Sequence, residues 1–246
     1  MKIERKTDKM IVSSLMKLGL IVPSSNTTME PEVWKMASGW STVHTARMRL
    51  REITVADLEK MEGQMLEAAT CLADAGVDVI GYGCTSGSLF KGKDHDEEIE
   101  REIERKTRVP AVATAKAVME ALDTLQIRRV CVATPYIDEI NERVQKYLEQ
   151  NKIDVLRIKG LGITHNSEVG NQHSDAAYEL ARKAHVPEAQ GIFISCTNFK
   201  TIEVIEQLEE ELEVPVISSN TATLWAMMRK AGIRRTLKGY GKLLSR

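Results

Sequence analysis

The sequence predicts an α/β fold built as two pseudo-symmetric parallel-sheet domains with the active site at their interface, and three observations predict it. Short apolar runs alternate with stretches at helical spacing, the pattern of repeated strand–helix units. A Cys-Thr dipeptide follows an apolar run twice, about half a chain apart, at Cys84-Thr85 and at Cys196-Thr197. Each is followed by a charged stretch and a Val-Pro-led apolar run, Val109-Pro110-Ala111-Val112 and Val214-Pro215-Val216-Ile217. One half of the chain reads as an imperfect copy of the other.

Taken in order, Met16 to Val22 is the first predicted strand, ended by Pro23; Glu30 to Ala37 reads as helix and Thr42 to Met48 as extended. Leu58, Met61, Met65, Ala68 and Leu72 keep helical spacing, predicting one helix from Thr54, its N-cap, to Ala75, stopped by Gly76. Val77 to Tyr82 is a buried strand delivering Cys84 at its carboxyl end. Asp94 to Lys106 is a charged helix, Val109 to Ala113 a strand and Thr114 to Leu125 a helix. The cycle repeats as strand Arg129 to Ala133, helix Asp138 to Gln150 and strand Val155 to Ile158, then a glycine-containing loop through Gly160 and Gly162 to Gly170. Helix Asp175 to Ala184, strand Gly191 to Ile194, helix Thr201 to Leu212, strand Val214 to Ile217 and helix Thr221 to Ala231 complete the chain before a basic tail. The predicted division is 1–117 with 220–246 as the first domain and 118–219 as the second. The last helix is expected to pack back on the first domain.

Composition narrows the function classes. The 246 residues carry 34 Lys and Arg against 35 Asp and Glu, a balance that offers no basic field for nucleic acid. No run approaches the roughly 18 apolar residues of a membrane span. The charged segment Met1 to Met10 lacks the apolar core of a secretory signal and reads as an extension before the first strand. A reducing cytoplasm, where free thiols persist, is the expected compartment. The cysteines (Cys71, Cys84, Cys131, Cys196) show no Cys-x-x-Cys spacing, and the five histidines no i,i+4 pair, which argues against a metal site.

Ligands of open parallel sheets collect beyond the carboxyl ends of the strands, so the loops after Val22, Gly83, Ala133 and Ser195 are expected to converge. The first, Pro23-Ser24-Ser25-Asn26-Thr27-Thr28, is dense in small donors, suited to capping a helix or to cradling a carboxylate. A similar string, Ser218-Ser219-Asn220-Thr221, follows the last strand and reads as part of the duplication. Cys71 and Cys131 lie within a helix and a strand and read as packing residues. Cys84 and Cys196 instead stand just past strand ends, where backbone N–H groups are expected to draw a thiol pKa from about 8.5 toward neutrality. Tyr136, in Ala133-Thr134-Pro135-Tyr136, and Asn166, in Thr164-His165-Asn166-Ser167, are further candidates for the cleft. Asp94-His95-Asp96 reads as a solvated helix start, and Glu206 to Glu213 as a surface face.

These loops resemble one known family. Val22-Pro23-Ser24-Ser25-Asn26-Thr27-Thr28-Met29-Glu30, Gly83-Cys84-Thr85-Ser86-Gly87, Thr134-Pro135-Tyr136 and Ser195-Cys196-Thr197-Asn198 are similar to maleate cis-trans isomerases. These form a branch of the aspartate/glutamate racemase superfamily, which also includes arylmalonate decarboxylase. The resemblance runs through nearly all of the chain after residue 15. It implies one catalytic cysteine per domain, Cys84 and Cys196, a small dicarboxylate substrate, no cofactor and commonly a homodimer. It also implies substrate contacts from Asn26, Tyr136 and Asn166, with Thr85, Ser86, Thr197 and Asn198 adding backbone donors. Glutamate racemases resemble Asp-Ser-Gly and Cys-Thr-His where this chain has Ser24-Ser25-Asn26 and Cys196-Thr197-Asn198. Arylmalonate decarboxylase lacks the cysteine that Cys84 supplies. Racemisation of a small acidic amino acid, a related decarboxylation and simple diacid binding remain as alternatives at this point.

Overall fold

A computed structural model describes residues 15–246 of the chain; the reading of Met1 to Met10 lies outside the described residues. Two four-stranded sheets carry the fold. The first comprises β1 (Met16–Pro23), β2 (Ser41–Met48), β3 (Val79–Tyr82) and β4 (Ala111–Ala113), in the order β2-β1-β3-β4. The second comprises β5 (Arg129–Thr134), β6 (Asp154–Gly160), β7 (Gly191–Ile194) and β8 (Val216–Ser218), in the matching order β6-β5-β7-β8. Every pairing within both sheets is parallel. The inner strands β3 and β7 are buried along their whole length, which is why they read as apolar runs rather than alternating ones.

Matching strand order defines which loops are equivalent. The loop after β1 corresponds to the loop after β5, and Cys84 after β3 corresponds to Cys196 after β7. The string Ser218 to Thr221 follows β8, whose counterpart is β4 rather than β1. Its likeness to Ser24 to Thr27 is therefore no product of the duplication, contrary to the sequence reading.

The helices are α1 (Met29–Met36), α2 (Val55–Glu62), α3 (Met65–Asp74), α4 (Thr85–Leu89), α5 (His95–Thr107) and α6 (Thr114–Thr124) in the first half. In the second half they are α7 (Asp138–Gln150), α8 (Asn166–Asn171), α9 (Ser174–Ala184), α10 (Ile205–Leu212) and α11 (Ser219–Lys230). None of the described helices is long and apolar enough to cross a membrane. Helix α11 packs on α6, β4 and β3, so the chain's last long helix lies against the first sheet. A bond of 3.0 Å between the Thr114 and Thr223 hydroxyls ties α6 to α11.

Four local expectations are corrected. The helix predicted from Thr54 to Ala75 is two helices, broken at Gly63 and Gln64; Met61 and Met65 keep the apolar spacing across the break, which hid it. Thr54 does cap α2, accepting from Asp57 N at 3.3 Å, and Gly76 ends α3 at φ +66°. Cys71 is exposed on α3 rather than packed. His95 and Asp96 are buried: Asp96 accepts the Tyr147 hydroxyl at 2.6 Å and so joins α5 to α7, and the His95 ring meets Phe90 edge-on with centroids 5.2 Å apart. Within the acidic run, Glu209 is buried and accepts from Val216 N at 2.9 Å and Lys242 N at 2.8 Å.

Gly160, at the end of β6, sits against the turn that carries Tyr136. A Cβ there would lie 2.6 Å from Tyr136 O, a backbone atom with little freedom to move away. Gly160→Ala is expected to destabilise the protein by about 1–3 kcal/mol, the usual cost of overpacking. Urea unfolding checks this: the midpoint should fall with the slope unchanged.

Candidate active site

The loop after β1 turns back at once, with Ser24 N bonding Met48 O at 2.6 Å. Asn26 then caps α1, its Oδ1 accepting from Thr28 N and Met29 N, both at 3.0 Å. The capping role is thus real. The same side chain also reaches the other half, where Nδ2 donates to Thr197 Oγ1 at 3.0 Å.

Cys84 is the N-cap of α4, in extended backbone, so its side chain meets the helix's first N–H groups. Gly87 N donates to its Sγ at 3.3 Å, and the Ser86 hydroxyl lies 3.7 Å away. Thr85 points across the interface, where Oγ1 donates to Ser219 Oγ at 2.8 Å. Tyr82, two residues earlier, has a buried hydroxyl without a partner, within electrostatic reach of Cys84.

Cys196 occupies the matching position after β7, but with φ +107°, a conformation that side-chain-bearing residues rarely adopt. Such strain persists only where the surroundings over-determine it. Here Cys196 N donates to Ser219 Oγ at 3.0 Å and Asn198 N donates to Cys196 Sγ at 3.4 Å. Thr197 Oγ1 donates to Gly83 O at 3.0 Å, clasping the second cysteine's loop to the residue before the first cysteine. Asn198 spans the halves, its Oδ1 accepting from Thr27 N at 2.8 Å and its Nδ2 donating to Asn166 O at 2.6 Å. Asn166 completes the ring by donating from Nδ2 to Ser25 Oγ at 2.8 Å.

The four loops therefore converge as expected, and they bring Asn26, Cys84, Thr85, Ser86, Tyr136, Asn166, Cys196, Thr197 and Asn198 into one cluster. Tyr136 is buried close enough to Cys196 and Ser195 to influence the thiol. All of these residues are buried; Cys84 is 3% and Cys196 5% exposed. Two surface cavities of about 500 and 610 Å³ lie beside Trp225 and His95, and neither cysteine lines them. The cleft expected between the two cysteines leaves both sulfurs buried beneath the loops of the two halves. Residues of the facing loops bond across it, Ile53 N to Thr164 O at 2.9 Å and Asn166 N to Arg51 O at 3.0 Å.

Closure also corrects the expected thiol ionisation. Burial pushes the Cys84 pKa up to about 11, against the opposing pull of the Gly87 N–H and the Ser86 hydroxyl. Burial likewise raises Cys196 to about 12; Tyr136 and the Asn198 N–H oppose the rise, while charge on Cys84 adds to it. The anticipated N–H donors are present, but loss of water outweighs them. Both thiols are neutral at pH 7, and ionising one disfavours ionising the other.

Three contributors escaped the sequence reading. Ser219 Oγ accepts from both cysteine loops, and Asn220 Nδ2 donates to Thr197 O at 3.1 Å. Their string was visible, but nothing in it announced contact with either cysteine. Glu32 is the third, a buried carboxylate of α1 that accepts from Thr201 N at 2.7 Å and Asn220 Nδ2 at 2.7 Å. A glutamate amid Pro31 and Val33 gives no sign of burial. Among the described residues, no group of three or more His, Cys, Asp or Glu is placed to hold a metal ion.

Comparison with known proteins gives this arrangement a lineage. Residues 18–244 match the family model described as arylmalonate decarboxylase. A maleate isomerase of Geobacillus stearothermophilus is 28% identical over 243 residues, 93% of this chain and 97% of the relative. A crystal structure of the maleate isomerase Iso from Pseudomonas putida S16, a cysteine-to-alanine mutant with maleate, superposes with a TM-score of 0.91 at 28% identity, covering 94% of this chain and 98% of that one. A Nocardia farcinica maleate cis-trans isomerase, a cysteine-to-serine mutant with a covalently bound succinylcysteine intermediate, superposes with a TM-score of 0.89 at 26% identity, covering 94% and 98%. Two sheets of matching order, a cysteine after the third strand of each, and a family match spanning both show that the chain belongs to the arylmalonate decarboxylase family.

Proposed function

We propose that the protein isomerises maleate to fumarate by thiolate addition, bond rotation and elimination, with Cys84 and Cys196 as the reacting groups. One observation carries the reading: each half delivers a buried cysteine from the same point of its sheet, and the two loops are bonded to each other. The succinylcysteine of the Nocardia farcinica neighbour is the species that thiol addition to maleate leaves behind.

Rotation about a carbon–carbon double bond requires that bond to become temporarily single. The Cys84 thiolate attacks one alkene carbon, and the π electrons move onto the neighbouring carbon and its carboxylate. The Cys196 thiol gives its proton to that carbon, leaving a succinyl thioether on Cys84. After rotation, Cys196 takes the proton back, the double bond re-forms and the carbon–sulfur bond breaks, returning the Cys84 thiolate. Protons and electrons balance over the cycle, and the two sulfurs never need to be anionic together, in keeping with their mutual repulsion. Before the first addition Cys84 must lose its own proton, which is easiest while the loops stand apart and water reaches the sulfur.

Charge gathers on a substrate carboxylate during addition, so donors fixed in advance lower the barrier. Asn26, Tyr136 and Asn166 are assigned to the substrate, with the N–H groups of Thr85, Ser86, Thr197 and Asn198 supporting it. Losing one such donor costs about 3 kcal/mol, roughly a hundredfold in rate. Residues 1–117 with 220–246 form one lobe and 118–219 the other in this reading, supported by α11 lying against the first sheet. The protein is read further as cytoplasmic, on its free cysteines, and as a homodimer or higher homo-oligomer, on its family resemblance.

Incubation with maleate, followed by proton NMR, tests the reaction. Fumarate should appear, aspartate and glutamate in D2O should show no α-exchange, and Cys84→Ala and Cys196→Ala should each abolish turnover while remaining folded. Turnover by either single variant contradicts a two-thiol mechanism. A second test reads the thiol ionisation. Without substrate, iodoacetamide labelling of Cys84 should rise about tenfold per pH unit between pH 6 and 8, since the thiolate is the nucleophile and is scarce there. A rate independent of pH over that interval means a thiol already ionised, contrary to the burial seen here.

A further inference from the structure

Glu32 is 7% exposed, and every hydrogen bond to its carboxylate comes from a donor. Thr201 N and Ile202 N bond Oε1 at 2.7 and 3.3 Å, while Asn220 Nδ2 and Thr201 Oγ1 bond Oε2 at 2.7 and 3.4 Å. Asn220 Nδ2 has a second acceptor, Thr197 O at 3.1 Å. Two acceptors facing one nitrogen fix the orientation of the Asn220 amide. They leave its Oδ1 buried with no partner, an arrangement that costs stability unless something demands it. What it secures is the carbonyl next to Cys196, the residue held at φ +107°. The carboxylate thus grips both ends of the segment from Thr197 to Ile202, one through Asn220 and one directly.

We propose that Glu32 is a positioning residue for the second thiol: as a carboxylate it holds the Asn220 amide toward Thr197 and so keeps the Cys196 loop in its strained, working form. Neutral Glu32 has an O–H to donate. Its natural acceptor is the idle Asn220 Oδ1, reached by turning the amide over, and that turn withdraws Nδ2 from Thr197 O. The switch therefore lies between two arrangements of one amide, the first leaving Asn220 Oδ1 without a partner and the second leaving Thr197 O without its donor. Burial raises the carboxyl pKa from 4.5 to about 7, opposed by the Asn220, Thr201 and Ile202 donors, so both forms are accessible near neutrality. A cavity of about 170 Å³ between α1 and the 200–203 segment reaches Glu32 and gives protons a path. The titratable groups around it are Lys35 on its own helix, Lys200 and Glu203 on the opposed segment, and Tyr240 near Lys35; α11 presents the neutral Asn220. Lys35 and Glu203 pair with each other at 3.0 Å near the surface.

The inference rests on Cys196 taking part in the reaction, but its test has a readout that does not. Glu32→Gln mimics the neutral form: it keeps an acceptor for Thr201 and Ile202 and offers Asn220 Oδ1 a donor, so it should fold. In the wild-type enzyme kcat should fall more steeply below about pH 7, where Glu32 gains its proton, than thiolate formation alone requires; in Glu32→Gln only the thiol dependence common to both proteins should remain. At pH 8 the variant's kcat should be about 10- to 100-fold lower with KM unchanged, the scale of a misplaced reacting group. Asn220→Ala should have a similar effect, and the double variant should be no worse than the poorer single one. Independently of turnover, peptide mass spectrometry after iodoacetamide should show Cys196 labelling about tenfold faster in Glu32→Gln, the worth of one buried hydrogen bond. Cys84 labelling should not change. Unaltered Cys196 labelling in both single variants, or equal acceleration at both cysteines, overturns the positioning role. Altered Cys196 labelling in a protein inactive on maleate overturns the proposed reaction and leaves the positioning role standing.

Discussion

Thr197 stands at the junction on which the site depends. Its hydroxyl donates to the carbonyl of Gly83 and accepts from Asn26, so one short side chain joins the second cysteine's loop to the strand end that presents the first. Its carbonyl is held by Asn220 from the far side. Separate sheets can twist and slide against each other, and nothing in either sheet alone brings two sulfurs to one place. The polar clasp does that, with the loops of both halves buried together around it.

Burial has two opposed chemical effects. It removes water that would hydrate a thiolate, and so keeps both sulfurs neutral in the closed form. It also strengthens every fixed dipole aimed at a charge developing on a bound dianion. An addition–elimination reaction uses both. Burial sets the cost of forming the thiolate, and the same burial raises the worth of each donor aimed at the charge that addition creates.

Much of this was legible in the residues because strand-end loops in parallel sheets are short and local. Alternating apolar runs located the strands, and the repeated Cys-Thr after a buried run located both sulfurs. Long-range information was not legible. No pattern distinguishes Glu32 from a surface glutamate of an amphipathic helix, because its burial follows from a partner 169 residues away. The pKa of a strand-end thiol was misjudged for a similar reason: the local N–H donors could be inferred, whereas the depth of closure over them could not. The likeness of Ser218 to Thr221 and Ser24 to Thr27 shows the reverse error. Similar composition at two strand ends suggested equivalence, and strand order assigns them to different positions in the repeat.

The central claim is that maleate is attacked by Cys84 while Cys196 governs the proton on the neighbouring carbon. Peptide mass spectrometry of Cys196→Ser after quenching with maleate tests it most directly. The account predicts an adduct with the mass of one maleic acid on the peptide containing Cys84, and none on those containing Cys71 or Cys131. Quenched protein with Cys84 unmodified, or with the adduct only on exposed Cys71, contradicts it.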